Sequence, residues 1–362
     1  MTEQTEKRKK KEVNTQKELA CDVRDQRLHY VHSGMEKRFP LFRLPCLALQ
    51  RTLMLYQPFK LAQLAIVSRR STRIVEKLAK KVPFALGIAV IRGNLRLIVG
   101  TPADIQKCWL SDSTSSQQLD DGILFFNDDV PEDELKQVHT KQLAEIETWI
   151  SLVKNIFKAK ECDAFLLFPN KDLVRDTFDV LYKFNLKVAV SFYGTIDCSE
   201  TFRDILIACS KSKPLEVATR HNSAWYKFDD FNGYAMDSLK IHFGDWVTLE
   251  NLLSLRNCIR VELSCTFFNA LEIMEFLKRW IEDSKMNYLS FPVATRLPFN
   301  FGNLKTYSNG QIVKGRKIVL SSVDRVIQRK SDGIFAKVSI SENNFSLETE
   351  NSETCVPFFV DL

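Results

Sequence analysis

The chain has 362 residues, of which 45% are hydrophobic and 27% charged, so it can form a substantial globular core in one or two domains. Its formal net charge of +6 does not by itself indicate a nucleic-acid-binding fold, because five of the cations lie together in the run Lys7–Lys11. The longest apolar run, residues 82–91 with Gly87 inside it, is shorter than the ~20 residues of a membrane span, and the polar N-terminus lacks a signal-peptide core, so we expect a cytosolic or nuclear protein without membrane contact.

Residues 1–35 are predicted to be a disordered basic tail. The run Lys7–Lys11 is typical of a solvated, unstructured segment, because it has no apolar residues to bury. A nuclear localisation signal or a nonspecific phosphate contact is the alternative interpretation.

Residues 36–82 are predicted to form three short helices. Pro45 and Pro58 are suited to the first position of a helix, which needs no amide hydrogen, and Ser68 can cap a third helix. The apolar residues of the first two helices recur at helical spacing, as in the pair Leu49 and Leu53. So few residues are too small a unit for a core of their own, and we expect another surface to cover them.

This segment resembles the F-box, a helical trio with a Leu-Pro start and a proline at its second helix. Cys46 and Gln57 stand where many F-boxes carry acidic residues, and the resulting variant is similar to the F-box of nematode proteins with a type 2 F-box-associated domain. The resemblance implies that the trio binds a Skp-type adaptor. The residues that it assigns to this contact are Leu44, Pro45, Leu49, Leu53, Pro58, Leu61 and Leu64.

Residues 83–160 are predicted to connect the trio to the following domain. Two aliphatic runs near 84–91 and 95–99 indicate a β-hairpin. The segment between Cys108 and Leu135 has eight acids and no Lys or Arg, which is typical of a solvated loop. The apolar spacing beyond Pro131 predicts a long amphipathic helix.

From residue 161 to 362 the pattern predicts alternating strands and helices. The strand candidates are 163–168, 187–192, 215–219, 238–243, 258–264 and 287–293. The helices between them are placed at 171–184, 199–210, 248–253 and 268–282. Such βα units predict an α/β fold with a parallel sheet, arranged as an irregular leucine-rich-repeat-like domain. A conventional open α/β sheet is the alternative, since the strict leucine-rich repeat pattern is missing.

The segment 245–282 carries a second resemblance. It contains Trp246, the helix start Thr248 and the sequence FLKRWI around Trp280, and it is similar to the nematode F-box-associated domain. The run Arg329 to Ala336 resembles the C-terminal β-hairpin of the same family, with Ser331-Asp332-Gly333 as its turn. The strands around this turn are predicted at 323–329, 334–340 and 345–349.

Signals for catalysis or cofactor binding are missing from the sequence. It has no GxGxxG, GxxxxGK[ST] or HExxH motif, and its five histidines lack metal-ligand spacing. The nine cysteines include no C-x-x-C pair and predict reduced thiols. A nucleophile pair among Cys198, Cys209 and His221 could arise only through folding. We therefore expect no catalytic residues, no metal, no cofactor, no small-molecule substrate and no enzyme activity.

The two resemblances imply a substrate-recognition subunit of a Skp–cullin–F-box E3 ubiquitin ligase, in the ubiquitin-conjugation pathway. Its partners would be the Skp-type adaptor with its cullin complex, and an unknown target protein held by the C-terminal domain. One alternative is a repeat-type interaction scaffold with no ligase role, in which the helical trio caps the repeats. A nucleic-acid-binding protein is a third interpretation and not the expected one, because it would need basic and aromatic residues clustered on the folded domain.

Overall fold

The computed structural model describes the chain from residue 41 onward, with gaps. The described residues are 41, 44–91, 94–103, 105, 123–124, 135–221, 234–266, 268–293, 301, 304–307, 311–313, 316–318, 324–341, 344–350 and 359–361. The predicted basic tail and most of the predicted acidic loop lie outside them. Two compact units make up the chain, residues 1–52 and 53–362.

Three short helices come first along the chain. They are α1 (Cys46–Leu53), α2 (Pro58–Val67) and α3 (Arg69–Ala79). Pro58 is the first residue of α2, and the Pro45 carbonyl accepts a hydrogen bond from the Leu49 amide at 2.9 Å. The Ser68 hydroxyl accepts from the Ser71 amide at 3.1 Å, and the Ser71 hydroxyl accepts from the Ser68 amide at 2.9 Å, which is a capping box. The predicted helix starts at Pro58 and Ser68 are confirmed.

Strands and helices alternate in the rest of the chain. They are β1 (Ala85–Ile91), β2 (Asn94–Gly100), β3 (Ile123–Leu124), α4 (Leu135–Phe157), β4 (Glu161–Leu167), α5 (Lys171–Lys183), β5 (Lys187–Ile196), α6 (Ser199–Ala208), β6 (Leu215–His221), β7 (Ser238–Ile241), α7 (Leu249–Ser254), β8 (Arg260–Leu263), α8 (Ala270–Glu282) and β9 (Tyr288–Pro292). The C-terminal strands are β10 (Ile312–Val313), β11 (Arg316–Ile318), β12 (Arg325–Gln328), β13 (Phe335–Ile340), β14 (Asn344–Thr349) and β15 (Phe359–Asp361).

Twelve strands form one mixed sheet in the order β12-β13-β14-β9-β8-β7-β6-β5-β4-β1-β2-β3. Its middle is parallel, with β1 beside β4 and the strands β4 to β9 following one another in chain order. Parallel neighbours need crossover connections, and α5, α6, α7 and α8 each lie in one of them. Antiparallel strands extend both ends of the sheet, and β10, β11 and β15 form a separate antiparallel sheet.

The structure confirms the α/β class and the predicted strands, and it corrects the parallel sheet to a mixed one. The hairpin near 84–99 pairs antiparallel, and its first strand also pairs parallel with β4, so it joins the sheet. The hairpin at Ser331-Asp332-Gly333 is present, with Gly333 at a φ of 72° that favours glycine, and β14 adds a third antiparallel strand to it. The separate three-stranded sheet was not predicted, because its strands are too short to give a pattern.

The central strands bury one face and leave the other open. In β5, Val188, Val190 and Phe192 are buried, whereas Ser191 and Tyr193 between them are half-buried. The same alternation occurs in β6, β7, β8 and β9. One hydrophobic core under the buried face includes residues of α2, of the first hairpin, of all the βα units and of β14. The opposite side of β5 to β9 is called the open sheet face below.

No helix within the described residues combines the length and apolar character that a membrane crossing requires.

Candidate functional site

The seven residues predicted to contact an adaptor differ in solvent exposure. Leu49, Leu53, Pro58 and Leu61 are buried, Leu44 and Leu64 are half-buried, and Pro45 is exposed. A buried side chain is covered by the chain itself and cannot meet a partner without movement. The buried four therefore shape the helices, and a direct contact is open to Leu44, Pro45 and Leu64.

Other elements of the unit 53–362 cover part of α2. The ring of Phe59 stacks on Trp149 of α4, with centroids 5.4 Å apart, and Ala62 is fully buried in the main core. The helix also packs on β2, and α3 packs on α4. Through Ala62, α2 thus contributes to the same core as the sheet.

Other apolar residues of this region are exposed, and the sequence interpretation did not select them. In the turn between α1 and α2, Leu55 is 85% exposed, and Met54 and Tyr56 are also exposed. At the end of α2, Val67 is 68% exposed and Ile66 is exposed as well. We call Met54, Leu55 and Tyr56 the turn patch. The sequence contains a signal for the turn patch. Three consecutive apolar residues stand directly before Gln57-Pro58, where a helix cannot continue.

The open sheet face carries a row of charged side chains on adjacent strands. Glu216 of β6 lies opposite Lys240 of β7, which lies opposite Glu262 of β8. The Glu216 carboxylate is 2.7 Å from His242 Nε2 and 3.6 Å from Lys240 Nζ, and each of these side chains is about one third to two fifths exposed. Because the charges alternate in sign and pair with one another, the face is polar without a large net charge.

Aromatic rings lie on the strands at both sides of this charged row, Tyr193 on β5 and Tyr288 on β9. The guanidinium of Arg260 lies 3.8 Å from the centre of the Tyr288 ring and donates from Nε to Glu262 at 2.7 Å. Burial raises the pKa of Tyr193, and the neighbouring Glu216 carboxylate raises it further, so this hydroxyl stays a neutral hydrogen-bonding group. Tyr, Arg and charged residues that already have partners are typical of protein-binding surfaces. The alternation of polar and apolar residues along these strands predicts which residues lie on this face, but no function was predicted for them.

The cysteines and histidine considered as a nucleophile pair have separate roles. His221 Nε2 is 3.2 Å from the hydroxyl of Ser199. Burial raises the pKa of the Cys209 thiol, so it stays protonated and unreactive. Cys198 is exposed, and a hydrogen bond from Thr201 lowers the pKa of its thiol. Within the described ranges no three His, Cys, Asp or Glu side chains gather as metal ligands would.

Comparison with known proteins agrees with the second sequence resemblance. The F-box associated family model matches residues 227–291, which include β7, α7, β8, α8 and all of β9 except Pro292. The chain is 24% identical over 264 residues to the Skn-1 dependent zygotic transcript 15 protein of Caenorhabditis elegans, an alignment that covers 68% of this chain and 76% of that protein. Trp246, Thr248 and Trp280, which carry the resemblance, all lie within the matched residues. Residues 227–291 therefore match the F-box associated family, and the chain is similar to a nematode protein over about two thirds of its length.

Proposed function

We propose that this protein is a substrate-recognition subunit of a Skp–cullin–F-box E3 ubiquitin ligase. In this proposal α1, α2 and α3 form the F-box that binds the Skp-type adaptor, and the sheet domain holds a target protein. The observation that carries it is the match of residues 227–291 to the F-box associated family, together with a helical trio of F-box-like sequence ahead of them.

The mechanism is proximity. The chain holds its target near the ubiquitin-loaded partner and supplies no acid, base, nucleophile, metal or cofactor of its own. We place this activity in the cytosol or the nucleus.

We further infer that the βα units of the sheet domain are leucine-rich-repeat-like. The support is the strand order, because β4 to β9 lie side by side in the order of the chain. A doubly wound sheet reverses its strand order at a switch point, whereas stacked repeats do not. Such an arrangement leaves one long sheet face available for a target.

Co-purification of the adaptor and the cullin with the tagged chain tests the ligase role. We expect Leu44→Ala combined with Pro45→Ala to weaken capture of both, because these positions carry the F-box resemblance. Leu55→Asp should also weaken it, because it puts a charge into the exposed turn patch without disturbing the core.

The matched control is Leu271→Asp, since Leu271 is 82% exposed at the start of α8, far along the chain from the trio. This variant should capture adaptor and cullin as the unmodified chain does. Equal capture by all three variants, or no capture by the unmodified chain, would contradict the proposal.

A repeat-type interaction scaffold is the second candidate. The burial of Leu61 and the stacking of Phe59 on Trp149 favour it, because they give α2 a structural role within the sheet domain. In this case the unmodified chain captures a target protein but neither adaptor nor cullin, which separates the two functions in the same experiment.

A further inference from the structure

The solvent-facing side of α3 carries a row of positive charges. Its members, which we call the basic row, are all exposed, and they are Arg69, Arg73, Lys77 and the C-cap residue Lys80. Because residues three or four apart share one side of a helix, the row extends ~16 Å along the axis within about 80° of the circumference. The buried residues of α3 lie on the opposite side and are Ser71, Val75, Leu78 and Ala79.

Carboxylates do not match the charges of the basic row. None of its four residues forms an ion pair within the part of the chain that the structure describes. Residues 69–81 contain six Lys or Arg and a single acid, Glu76. On α8, by contrast, Lys278 and Arg279 lie 3.6 Å and 3.4 Å from carboxylate oxygens of Glu275. The basic row therefore presents uncompensated positive charge to solvent.

The placement of these cations is unfavourable for the helix itself. Arg69 and Arg70 occupy the first turn of α3, where the positive end of the helix dipole repels cations, and that turn has no acid. The helices α5, α6 and α8 each carry an acid in the same turn. Like charges four residues apart, such as Arg73 and Lys77, also repel each other. Natural proteins keep such local conflicts mainly at sites where function needs them.

We propose that the basic row binds the phosphate backbone of double-stranded DNA without reading its sequence. A stripe of cations along one helix face is the electrostatic pattern of such binding, because each Lys or Arg that neutralises a phosphate releases counterions. None of the seven residues predicted to contact the adaptor belongs to the basic row. This inference goes beyond the ligase role and does not depend on it.

The chemistry of α3 favours DNA over other anionic partners. Lysine is depleted in protein–protein interfaces, whereas protein–DNA interfaces are strongly positive, and two of the four row residues are lysines. Val75 and Leu78 are buried, so α3 has no apolar face to insert into a bilayer. Residues 69–81 contain no aromatic side chain on which the bases of a single strand could stack. The major groove of duplex RNA is too narrow for a helix, whereas that of B-form DNA admits one.

Fluorescence anisotropy with a labelled DNA duplex at several salt concentrations tests this proposal. The protein is the full-length chain in which glutamine replaces all five residues of the run Lys7–Lys11, so that these cations do not contribute. With four phosphate contacts, the logarithm of the association constant should fall against the logarithm of the salt concentration with a slope of about −3.6. Arg73→Gln combined with Lys77→Gln should bring the slope to about −1.8 and raise the Kd at low salt roughly tenfold or more. Its melting temperature should be equal or higher, because a repulsion is removed.

Arg203→Gln combined with Lys211→Gln is the matched control. It removes one Arg and one Lys from exposed positions on α6 and in the turn after it, and it should leave the slope unchanged. The proposal is overturned if the duplex does not bind at low salt, or if the control lowers the slope as much as the α3 variant does. It is also overturned if single-stranded DNA, duplex RNA, a polyglutamate peptide or anionic vesicles bind as tightly as the duplex. Adaptor co-purification is measured separately, so a failure here leaves the ligase role standing.

Discussion

Arg329 connects the C-terminal hairpin to the helix and strand beside it. Its side chain is 3% exposed, and its guanidinium donates to the Asp332 carboxylate with a shortest distance of 2.7 Å. Arg329 Nη1 also donates to the Met286 carbonyl at 3.3 Å, and the guanidinium lies 5.1 Å from the centre of the Trp280 ring. Trp280 Nε1 donates to the same carbonyl at 2.9 Å. One buried cation thus links β12, α8 and the segment before β9.

We predict that Arg329→Met lowers the free energy of unfolding by about 2–3 kcal/mol, because charged hydrogen bonds are lost at a buried position. Urea denaturation measures the change. The neighbouring Lys330→Met is the control, since Lys330 is exposed and its ion pair with Glu282 contributes less than about 1 kcal/mol. Equal losses in the two variants would show that the buried contacts of Arg329 add nothing.

Asp332 makes part of this stability depend on pH. The Arg329 guanidinium holds the pKa of the Asp332 carboxyl below its ordinary value, and the Ile334 amide adds a hydrogen bond. A carboxyl whose pKa is lower in the folded state stabilises the fold above its unfolded pKa, and that contribution is lost as the pH falls toward the folded pKa. We predict that stability falls less between roughly pH 5 and pH 3 in Asp332→Asn than in the unmodified chain. A parallel fall in both would contradict the role of this carboxyl.

At the scale of single elements, helix caps explain why the helices begin where they do. Ser68, Thr248 and Asn269 each accept backbone amide bonds of the following turn, and the residue three positions later bonds back. These caps depend on neighbouring residues alone, which is why the sequence predicts the starts at Ser68 and Thr248.

Replacing the cap of α3 should destabilise the chain measurably. We predict that Ser68→Ala lowers the free energy of unfolding by about 1 kcal/mol, since the Ser71 amide loses its acceptor. Ser68→Asp restores an acceptor and should recover most of the loss. If Ala and Asp give the same stability in urea denaturation, the hydroxyl of Ser68 is not acting as a cap.

Elements governed by distant pairing were less predictable. The antiparallel neighbour of β9 is β14, which places Leu289 opposite Leu347. A local sequence pattern cannot predict a strand partner so far along the chain. The burial of Leu61 depends on distant packing as well, because α2 packs on β2 and α4, whereas Leu55 in the turn before α2 stays exposed. Local chemistry thus predicted the elements of the candidate site, and long-range packing selected its exposed residues.

At the scale of the whole molecule, α2 contributes to the core of the larger unit. Ala62 is part of the same hydrophobic cluster as the sheet residues up to Leu347. A chain that begins at residue 83 would expose Trp149 where Phe59 had covered it. We predict that this shortened chain has a lower midpoint in urea than the full chain, measured by tryptophan fluorescence and circular dichroism. Equal midpoints would show that the helices are an independent domain.

Deletion of the helical trio is consequently a poor test of adaptor binding, because it also removes part of the core. Single changes at exposed positions avoid this difficulty. Leu55→Asp and Leu271→Asp introduce the same charge at leucines of nearly equal exposure, so a difference between them reports on location alone.

The central claim is that this chain binds a Skp-type adaptor through its helical trio. Size-exclusion chromatography with light scattering, on the purified chain mixed with a purified nematode Skp-type adaptor, tests it most directly. The account predicts an equimolar complex with the unmodified chain and with Leu271→Asp, and separate elution of the two proteins with Leu55→Asp. Separate elution of the unmodified chain and the adaptor at micromolar concentration would contradict the claim.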